Sequence, residues 1–365
     1  MAKIIIYLFF IMTCCSCSIQ DQPSHKKLID EKTDSVYIKT NYVSDLVLLY
    51  HGGTHRLDYT EEELKPYVYR ETKGKVEWLF DGFLFIEFKD NLGHEFAKGY
   101  HQKPANKIHW EWLLKRNFEK GKGISALNAL LTRLSKRGDV PKRMRKVVLT
   151  LPDPIIGFKE WGQMKGKDLD FNNVSDRVEA CKWFVDHTIS EWEKQKFKEL
   201  DFEGFYWVAE TQSTTKDVLP QIAEYIKSKG YKFYWIPYMY AEGAREWKTA
   251  GFDIAYQQPN YFFGLDKPKS LFDKAIYNAD NFGMGVEMEF DKSMITNEAF
   301  RQRYYDYIAA FEQGGVWKSK PVAYYEGGGA WLDLFRSDEN SPARKDYDYL
   351  SEIIIKRQLR EDSKF

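Results

Sequence analysis

The feature that most constrains the fold of this chain is a regular alternation of short apolar runs with amphipathic, helix-like stretches. Eight apolar runs have the length and composition of buried strands, at residues 46–51, 80–88, 146–151, 202–210, 232–240, 252–257, 283–290 and 321–326. The helix-like stretches include residues 125–135, 175–197, 217–229, 297–313 and 343–357. Strands that alternate with helices form parallel sheets, and eight strands close a barrel, so we predict a (β/α)8 TIM barrel.

An open, doubly wound sheet would show the same alternation. Its dinucleotide-binding form carries Gly-x-Gly-x-x-Gly after the first strand, and no such motif follows residues 46–51. Several helix-like stretches end in glycine just before the next strand, as at Gly230, Gly314 and Gly315. Glycine is typical of helix C-termini and supports these boundaries. We therefore favour the closed barrel.

The first residues have the pattern of an export signal. Lys3 supplies a positive charge, residues 4–12 are apolar but too few to span a bilayer, and residues 13–17 read Thr-Cys-Cys-Ser-Cys. Small residues that lead up to a cysteine resemble the lipobox of bacterial lipoproteins, where that cysteine is acylated and becomes the N-terminus. The resemblance implies lipidation at Cys17, with Cys15 as the alternative.

This interpretation divides the chain into three parts. Residues 1–17 are the lipoprotein signal peptide, residues 18–35 form a polar, flexible tether, and residues 36–365 form the barrel domain. We expect the protein in the cell envelope, outside the cytoplasm and at the outer membrane, with the lipid anchor as its only membrane contact. A plain secretory signal is the alternative.

The charge composition argues against nucleic acid as a partner. Lys plus Arg and Asp plus Glu both count 54, so the chain lacks the basic excess that nucleic-acid binding requires.

Cys181 is the one cysteine beyond the signal, and its helix-like surroundings indicate a small buried side chain without a disulfide partner. The sequence has no His-Glu-x-x-His, no Gly-x-Ser-x-Gly and no pair of Cys-x-x-Cys motifs, and we expect no metal and no cofactor.

The fourth run ends in a carboxylate that should face the barrel interior. Successive side chains of a strand point to opposite faces, so Phe205 and Trp207 should face the helices, and Tyr206, Val208 and Glu210 should face inward. Ligands bind at the C-terminal ends of barrel strands. Glu210 is therefore predicted at the mouth of the barrel.

The seventh run carries two further inward carboxylates. Alternation sends its apolar residues outward and Gly285, Glu287, Glu289 and Asp291 inward. Carboxylates inside a barrel are costly unless they are paired, hydrogen-bonded or used in chemistry. Counting along both runs places Glu289 level with Glu210 and Glu287 one layer deeper.

Two carboxylates across a barrel mouth suit glycoside hydrolysis, which needs one acid and one nucleophile or base. The layout resembles the A clan of retaining glycoside hydrolases, which implies Glu210 as acid/base and Glu289, or Glu287, as nucleophile. That clan has Asn where this chain has Ala209. Residues 202–210 also resemble the fourth strand of chitinase-like barrels, which again implies Glu210 as the acid. Tyr206 and Val208 replace the aspartates of the chitinase motif, which disfavours a substrate-assisted mechanism.

The lipobox, residues 81–85 (Asp-Gly-Phe-Leu-Phe) and residues 285–289 (Gly-Val-Glu-Met-Glu) together resemble the uncharacterised Bacteroidota lipoprotein family DUF4855. The resemblance implies a glycoside-hydrolase-like TIM barrel. It implies no particular activity.

The loop after the second run, residues 89–122, is long enough to form one wall of the mouth. It contains Trp110 and Trp112, which either stack on a sugar or pack the loop onto the barrel. Weaker candidates lie at the ends of the other runs: His51, Glu87, Asp153, Tyr240, Glu242, Gln257, Asn260, Glu326 and Trp331. The glycine-rich segment 326–331 either binds an anion through its backbone or brings Trp331 to the sugar, and we favour the second.

These features favour a retaining glycosidase that acts on an extracytoplasmic oligo- or polysaccharide. The first alternative is a glycan-binding lipoprotein that keeps the cleft without turnover, and the second is an envelope scaffold protein.

Overall fold

The computed structural model describes residues 42–365. The predicted signal peptide with Cys17 and the predicted tether lie outside the described residues. Within the described range, no helix is both long and apolar enough to cross a membrane.

Eight parallel strands close into a barrel in which each strand pairs with the next along the chain and the last pairs with the first. They are β1 (Asp45–Tyr50), β2 (Gly82–Ile86), β3 (Arg145–Leu151), β4 (Leu200–Trp207), β5 (Lys232–Trp235), β6 (Ile254–Gln257), β7 (Gly285–Glu289) and β8 (Val322–Tyr325). Each strand coincides with one of the apolar runs to within a few residues. The predicted (β/α)8 barrel is confirmed.

Helices surround the barrel between its strands. They are α1 (Glu61–Val68), α2 (Lys107–Asn117), α3 (Gly123–Lys136), α4 (Val174–Gln195), α5 (Leu219–Ser228), α6 (Ser270–Phe282), α7 (Ser293–Thr296), α8 (Glu298–Gln313), α9 (Val316–Ser319), α10 (Ala330–Arg336) and α11 (Pro342–Asp362). Short two-stranded pairs lie outside the barrel, at Tyr69–Thr72 with Lys75–Trp78, His94–Glu95 with Lys103–Pro104, and Gln163–Met164 with Lys167–Asp168. The predicted helical stretches correspond to α3, α4, α5, α8 and α11, whereas the stretch predicted as a long loop contains α2.

The strand side chains divide between two hydrophobic layers, as alternation requires. In β4, Phe205 and Trp207 pack in the layer between the sheet and the helices, whereas Tyr206 and the following Val208 belong to the barrel interior. The apolar side chains of β7 also lie in the outer layer. Its glutamates consequently point inward.

One irregularity lies at the start of β4. Its pairing with β3 shifts by one residue between Phe202 and Gly204. Gly204 has a φ of +154°, and a Cβ atom there would lie 2.0 Å from the carbonyl oxygen of Lys232, so glycine is required. The bulge ends before Phe205, and it therefore leaves undisturbed the alternation that positions Glu210.

A buried polar network closes the N-terminal end of the barrel beneath α11. Arg357 donates from Nε to Asp45 (2.6 Å) and from Nη2 to the carbonyl oxygens of Ser44 (2.9 Å) and Lys320 (3.0 Å). Asp81 accepts the backbone N–H of Asp45 at 2.8 Å. Pairing offsets the cost of burying these charges, and it ties the last helix to the first strand.

Candidate active site

A cavity of about 410 Å³ opens at the C-terminal ends of the barrel strands, the end at which barrels of this type bind ligands. The predicted residues Glu210, Glu287, Glu289 and Asn260 line it. The other lining residues are Leu48, Tyr50, His55, Arg56, Ile86, Phe88, Lys89, Tyr100, Tyr206, Gln258, Phe263 and Tyr325.

Glu210 follows β4 and is held by two neutral donors. Its Oε1 accepts from the side-chain amide of Gln258 at 2.9 Å, and its Oε2 accepts from the hydroxyl of Tyr100 at 3.1 Å. Burial raises the pKa of Glu210, and the two donors partly oppose that rise because they stabilise the ionised form. The carboxyl group is thus biased toward holding a proton.

Glu289 is the last residue of β7 and has a different set of donors. The hydroxyl of Tyr307 donates to its Oε2, and the side-chain amide of Asn260 donates to its Oε1 at 3.3 Å. Burial raises the pKa of Glu289 to about 7, against the opposing effect of the Tyr307 hydroxyl. Near neutral pH this group is close to its point of ionisation.

Two side-chain amides connect these carboxylates. The Nδ2 of Asn260 donates both to Glu289 and, at 2.7 Å, to the Oε1 of Gln258, whose Nε2 donates to Glu210. The Oδ1 of Asn260 accepts the backbone N–H of Met239 at 2.6 Å. Because both amides have their hydrogens and oxygens engaged, their orientation is determined, and they fix the two carboxyl groups relative to each other.

Glu287 lies deeper in the barrel than Glu289. Burial raises the pKa of Glu287 well above its ordinary value, and the negative charges of Glu289 and Glu210 add to the rise. No side chain of the described residues donates a hydrogen bond to its carboxyl group. Glu287 is therefore the group that retains a proton when the other two are ionised.

The family model of a domain of unknown function, DUF4855, matches residues 45–352, a range that includes every strand of the barrel. The chain belongs to the DUF4855 family. No curated protein matches its sequence significantly.

Solved structures similar to this DUF4855 barrel share little sequence with it. A proposed alpha-L-fucosidase from Bacteroides thetaiotaomicron is 13% identical, with a TM-score of 0.43 over 90% of this chain and 98% of its own. The catalytic domain of a family GH18 chitinase from the fern Peteris ryukyuensis is 12% identical, with a TM-score of 0.39 over 84% and 98%. An endo-1,4-beta-xylanase from Caldicellulosiruptor owensensis is 13% identical, with a TM-score of 0.35 over 77% and 92%. Similarity at this level gives no information about the substrate of the DUF4855 chain.

Aromatic side chains wall the cavity of this DUF4855 barrel. The ring of Tyr100 stacks on that of Phe88 with centroids 4.2 Å apart, and Phe263 meets Tyr325 edge to face at 5.4 Å. Tyr100 is 39% exposed and Phe263 is 49% exposed, so both present a free surface for an apolar ligand face. The sequence analysis did not single out these residues, although Tyr100 lies in the loop 89–122 that it expected at the mouth and Phe263 lies shortly after β6.

A buried carboxylate holds the segment that carries Tyr100. The Oε2 of Glu95 accepts the backbone N–H groups of Gly99, Tyr100 and His101, each at 2.8 Å. Three charge-assisted bonds to consecutive residues leave this loop little freedom. The Tyr100 hydroxyl is thereby held against Glu210.

Three predicted binding residues lie away from the cavity. His51 is buried, with Nε2 at 3.1 Å from the carbonyl oxygen of Arg116, and Gln257 is buried, with its Oε1 accepting from Asn278 at 3.0 Å. Tyr240 is exposed but lies outside the lining, with the ammonium group of Lys274 4.1 Å from its ring centroid. The neighbour of Gln257, Gln258, lines the cavity and donates to Glu210.

The glycine-rich segment after β8 binds an anion, but the anion is a side chain of the same segment. Glu326 is buried, and its Oε2 accepts the backbone N–H groups of Gly329 at 2.7 Å and Trp331 at 3.0 Å. Glu326 therefore stabilises the loop and does not face the cavity. The backbone donors that could have bound a substrate phosphate are already used.

The three tryptophans considered as stacking residues pack against the core. Trp110 has no exposed surface and packs against Trp161, with ring centroids 5.3 Å apart. Trp331 is equally buried and donates from Nε1 to the carbonyl oxygen of Pro66 at 2.8 Å. Trp112 is half-buried against the same core. For Trp110 and Trp112 the packing alternative holds, because the segment 107–117 forms a helix whose tryptophans pack against the core. Trp331 lies in α10, where burial keeps its ring away from the cavity.

Replacement of Trp331 by Phe tests whether this residue belongs to the core. The variant loses the hydrogen bond to Pro66 and part of a buried ring, so we expect the free energy of unfolding to fall by about 1–2 kcal/mol. Urea unfolding measures the change, and Trp112→Phe, at a half-buried site, should lose less. Unchanged stability together with weaker ligand binding would return Trp331 to the site.

Asp90, His94 and His109 bring their ligand-type atoms within 4.8 Å of one another, which raises the question of a metal site. The Nδ1 of His94 lies 2.6 Å from Asp90, and the Nδ1 of His109 accepts the backbone N–H of Asn106 at 3.1 Å. The neutral His109 ring then keeps its proton on Nε2, and the two imidazoles stack with centroids 3.6 Å apart, so their lone pairs do not converge. These contacts cap α2 and fit a structural role better than metal ligation.

Proposed function

We propose that this chain is a retaining glycoside hydrolase with Glu210 as its general acid and base and Glu289 as its nucleophile. The observation that carries the proposal is the arrangement of these two carboxyl groups in one cavity, joined through Gln258 and Asn260. A retaining mechanism needs two carboxyl groups in fixed relation, one protonated and one ionised.

The division of roles follows the positions of the two groups after β4 and on β7, as the resemblance to the A clan of retaining glycoside hydrolases implies, since both groups are buried, have raised pKa values and accept hydrogen bonds from neutral donors. Burial raises the pKa of Glu210, and no charged donor contacts it, so it can hold the proton that the leaving oxygen requires. Glu289 receives hydrogen bonds from Tyr307 and Asn260, which favour its ionised form. The negative charge of Glu289 raises the pKa of Glu287, so a proton on Glu287 removes a like charge that would oppose the ionisation of Glu289.

The proposed reaction has two displacements at the anomeric carbon. In the first, Glu210 transfers its proton to the glycosidic oxygen, that oxygen leaves, and a carboxylate oxygen of Glu289 forms a bond to the anomeric carbon. In the second, the ionised Glu210 takes a proton from water, and the resulting hydroxide displaces Glu289. The sugar is released with its original configuration, and Glu210 is again protonated.

The aromatic walls support a sugar as the ligand. Sugar rings have apolar faces that stack on aromatic side chains, and Tyr100 and Phe263 both expose ring surface at the cavity. The substrate we propose is an oligo- or polysaccharide outside the cytoplasm.

A screen of the protein without residues 1–17 against a broad oligosaccharide panel, with reducing-end detection, tests the function. We expect new reducing ends from at least one glycan with the wild-type protein and none with Glu289→Gln. Binding without hydrolysis would favour the glycan-binding alternative. Neither binding nor hydrolysis across the panel would contradict the proposal.

Replacing Tyr100 by Phe tests whether Glu210 is the acid. The variant loses a donor that stabilises ionised Glu210, so the pKa of Glu210 should rise further. Activity that needs protonated Glu210 is lost as pH rises through this pKa, and we expect the alkaline limb of kcat/KM to move upward by about 0.5–1 pH unit. Tyr240→Phe, outside the cavity, should leave the profile unchanged. A downward shift would contradict the assignment.

We also propose that the precursor is acylated at Cys17, on the basis of the lipobox-like sequence at residues 13–17. This anchor would place the barrel at the cell envelope. Mass spectrometry of the mature N-terminal peptide should find a lipid-modified Cys17 as its first residue. An unmodified Cys17, or cleavage well downstream of it, would exclude the anchor.

A further inference from the structure

The cavity has a basic wall that the two-carboxylate chemistry does not use. His55 and Arg56 lie in the loop after β1, and Lys89 lies in the loop after β2. Glu210 follows β4 and Glu289 ends β7. In the closed barrel β4 lies two strands from β2, and β7 lies two strands from β1. The basic groups therefore line a part of the cavity that is separate from the strands of the two glutamates.

Arg56 is held rigidly in that wall. Its Nε and Nη2 each donate to the buried carboxylate of Glu87 at 3.0 Å, and its guanidinium carbon lies 4.4 Å from the ring centroid of Tyr50. Glu87 is itself fixed by the backbone N–H of Gly53 at 2.8 Å. The Nη1 of Arg56 has no hydrogen-bond partner among residues 42–365. A guanidinium held on one edge and free on the other is preorganised to bind an anion.

Lys89 and His55 add to the positive character of the wall. Lys89 belongs to none of the ion pairs formed within the described range. Burial lowers the pKa of His55, the positive charges of Arg56 and Lys89 lower it further, and the carboxylate of Glu87 opposes part of this effect, so both cations act at the position of His55. Glu87 pairs with Arg56, which leaves Lys89 as a cation without an ion-pair partner in the described part of the wall.

The basic wall does not act as the counter-charge of the glutamates. The pKa of Glu210 responds to burial, Gln258 and Tyr100, and that of Glu287 responds to burial and the neighbouring carboxylates. Among residues 42–365, no basic side chain contributes to either pKa shift. The basic groups and the glutamates can therefore bind different parts of one ligand.

We infer that the substrate is an acidic sugar whose carboxylate or sulfate binds Arg56 and Lys89 while its anomeric carbon lies between Glu210 and Glu289. This inference rests on the proposed glycosidase function. A volume of about 410 Å³ lies within the range of small-molecule sites, which suits a sugar unit with a charged substituent. The anion would supply Lys89 with an ion-pair partner and would accept hydrogen bonds from the free edge of the Arg56 guanidinium in a partly dry cavity.

Matched polymers that differ only in charge test the inference. Polygalacturonate, alginate and a sulfated glycosaminoglycan are each compared with their carboxyl-reduced forms, and the glycosaminoglycan also with its desulfated form. We expect reducing ends to appear at least tenfold faster from one native polymer than from its neutralised form. Loss of activity on carboxyl reduction identifies a uronic acid, and loss on desulfation identifies a sulfated sugar.

Replacement of Lys89 by Met should raise KM for the charged polymer about tenfold or more, with kcat within about threefold, because the residue binds the anion and takes no part in bond cleavage. Lys274→Met is the matched control, since Lys274 lies outside the cavity and both constants should stay unchanged.

Equal rates on native and neutralised polymers, or an unchanged KM in Lys89→Met, would overturn the inference and leave the glycosidase proposal standing. Absence of hydrolysis from every polymer would count against the proposed function instead. In that case calorimetric binding of the native polymers, lost in Lys89→Met, would support the acidic-sugar site, and absence of such binding would overturn it.

Discussion

Replacement of Glu289 by Gln is expected to reduce turnover by at least about 10⁴-fold on every substrate, because the amide cannot form the covalent glycosyl intermediate. The change is nearly isosteric, so the fold should persist. The amide oxygen of the Gln side chain can accept from Asn260, and its N–H group can donate to the Tyr307 hydroxyl, which then acts as the acceptor. Kinetics with an activated aryl glycoside identified in the oligosaccharide screen measure the effect, with circular dichroism as the check of folding.

Replacement of Glu210 by Gln should have a selective effect. A general acid contributes about 10²–10⁴-fold when the leaving group needs a proton, and little when it does not. We expect Glu210→Gln to slow natural glycosides by that factor and activated aryl glycosides much less. Glu242→Gln, an exposed carboxylate outside the cavity, is the control and should change neither rate. Equal slowing of both substrate types would remove Glu210 from the role of acid.

Chemical rescue distinguishes Glu289 from Glu287. In Glu289→Gly, azide can occupy the space of the missing carboxylate and attack the anomeric carbon, which should give a glycosyl azide of inverted configuration. If Glu289→Gln keeps full activity and Glu287→Gln loses it, the deeper residue is the nucleophile. If both keep full activity, the two-carboxylate mechanism is excluded.

Replacement of Arg357 by Leu is expected to cost about 3–5 kcal/mol of unfolding free energy, because it leaves the carboxylate of Asp45 buried without its cation. The side chain also satisfies the carbonyl oxygens of Ser44 and Lys320, so the N-terminal end of the barrel loses several contacts together. Chemical denaturation of the protein without residues 1–35 measures the difference.

The control for Arg357 is Arg336→Leu. Arg336 pairs with Glu63 at the surface, where an ion pair contributes less than about 1 kcal/mol. The double variant Asp45→Asn with Arg357→Leu should recover part of the loss, since it removes the uncompensated charge. A loss in Arg357→Leu no larger than in Arg336→Leu would show that the network does not hold α11 to the barrel.

The sequence alone determined the architecture and the direction of the carboxylates. Apolar runs are a local property: a strand buried by the barrel interior on one face and by the helix layer on the other is apolar over most of its length, and eight such strands separated by helices have few ways to pack. The alternation of side chains along a strand then sent Glu210, Glu287 and Glu289 inward without knowledge of their neighbours. The bulge at Gly204 did not disturb this count because it lies before the counted residues.

Only the tertiary structure decided which groups surround those carboxylates. Tyr100, Gln258 and Tyr307 reach Glu210 and Glu289 from segments distant in sequence, and no local pattern marks such contacts. Glu326 shows the reverse case. Its segment has the composition of an anion-binding loop, but the side chain of Glu326 itself accepts the backbone N–H groups that would bind the anion.

The same limit explains the tryptophans. Trp110 and Trp331 lie in segments whose composition suits either a binding loop or a packed helix, and the sequence left both open for Trp110. The choice depends on whether neighbouring helices leave the ring exposed, which is a property of the assembled barrel. Burial of both rings removed them from the site, because a side chain without exposed surface cannot meet a ligand.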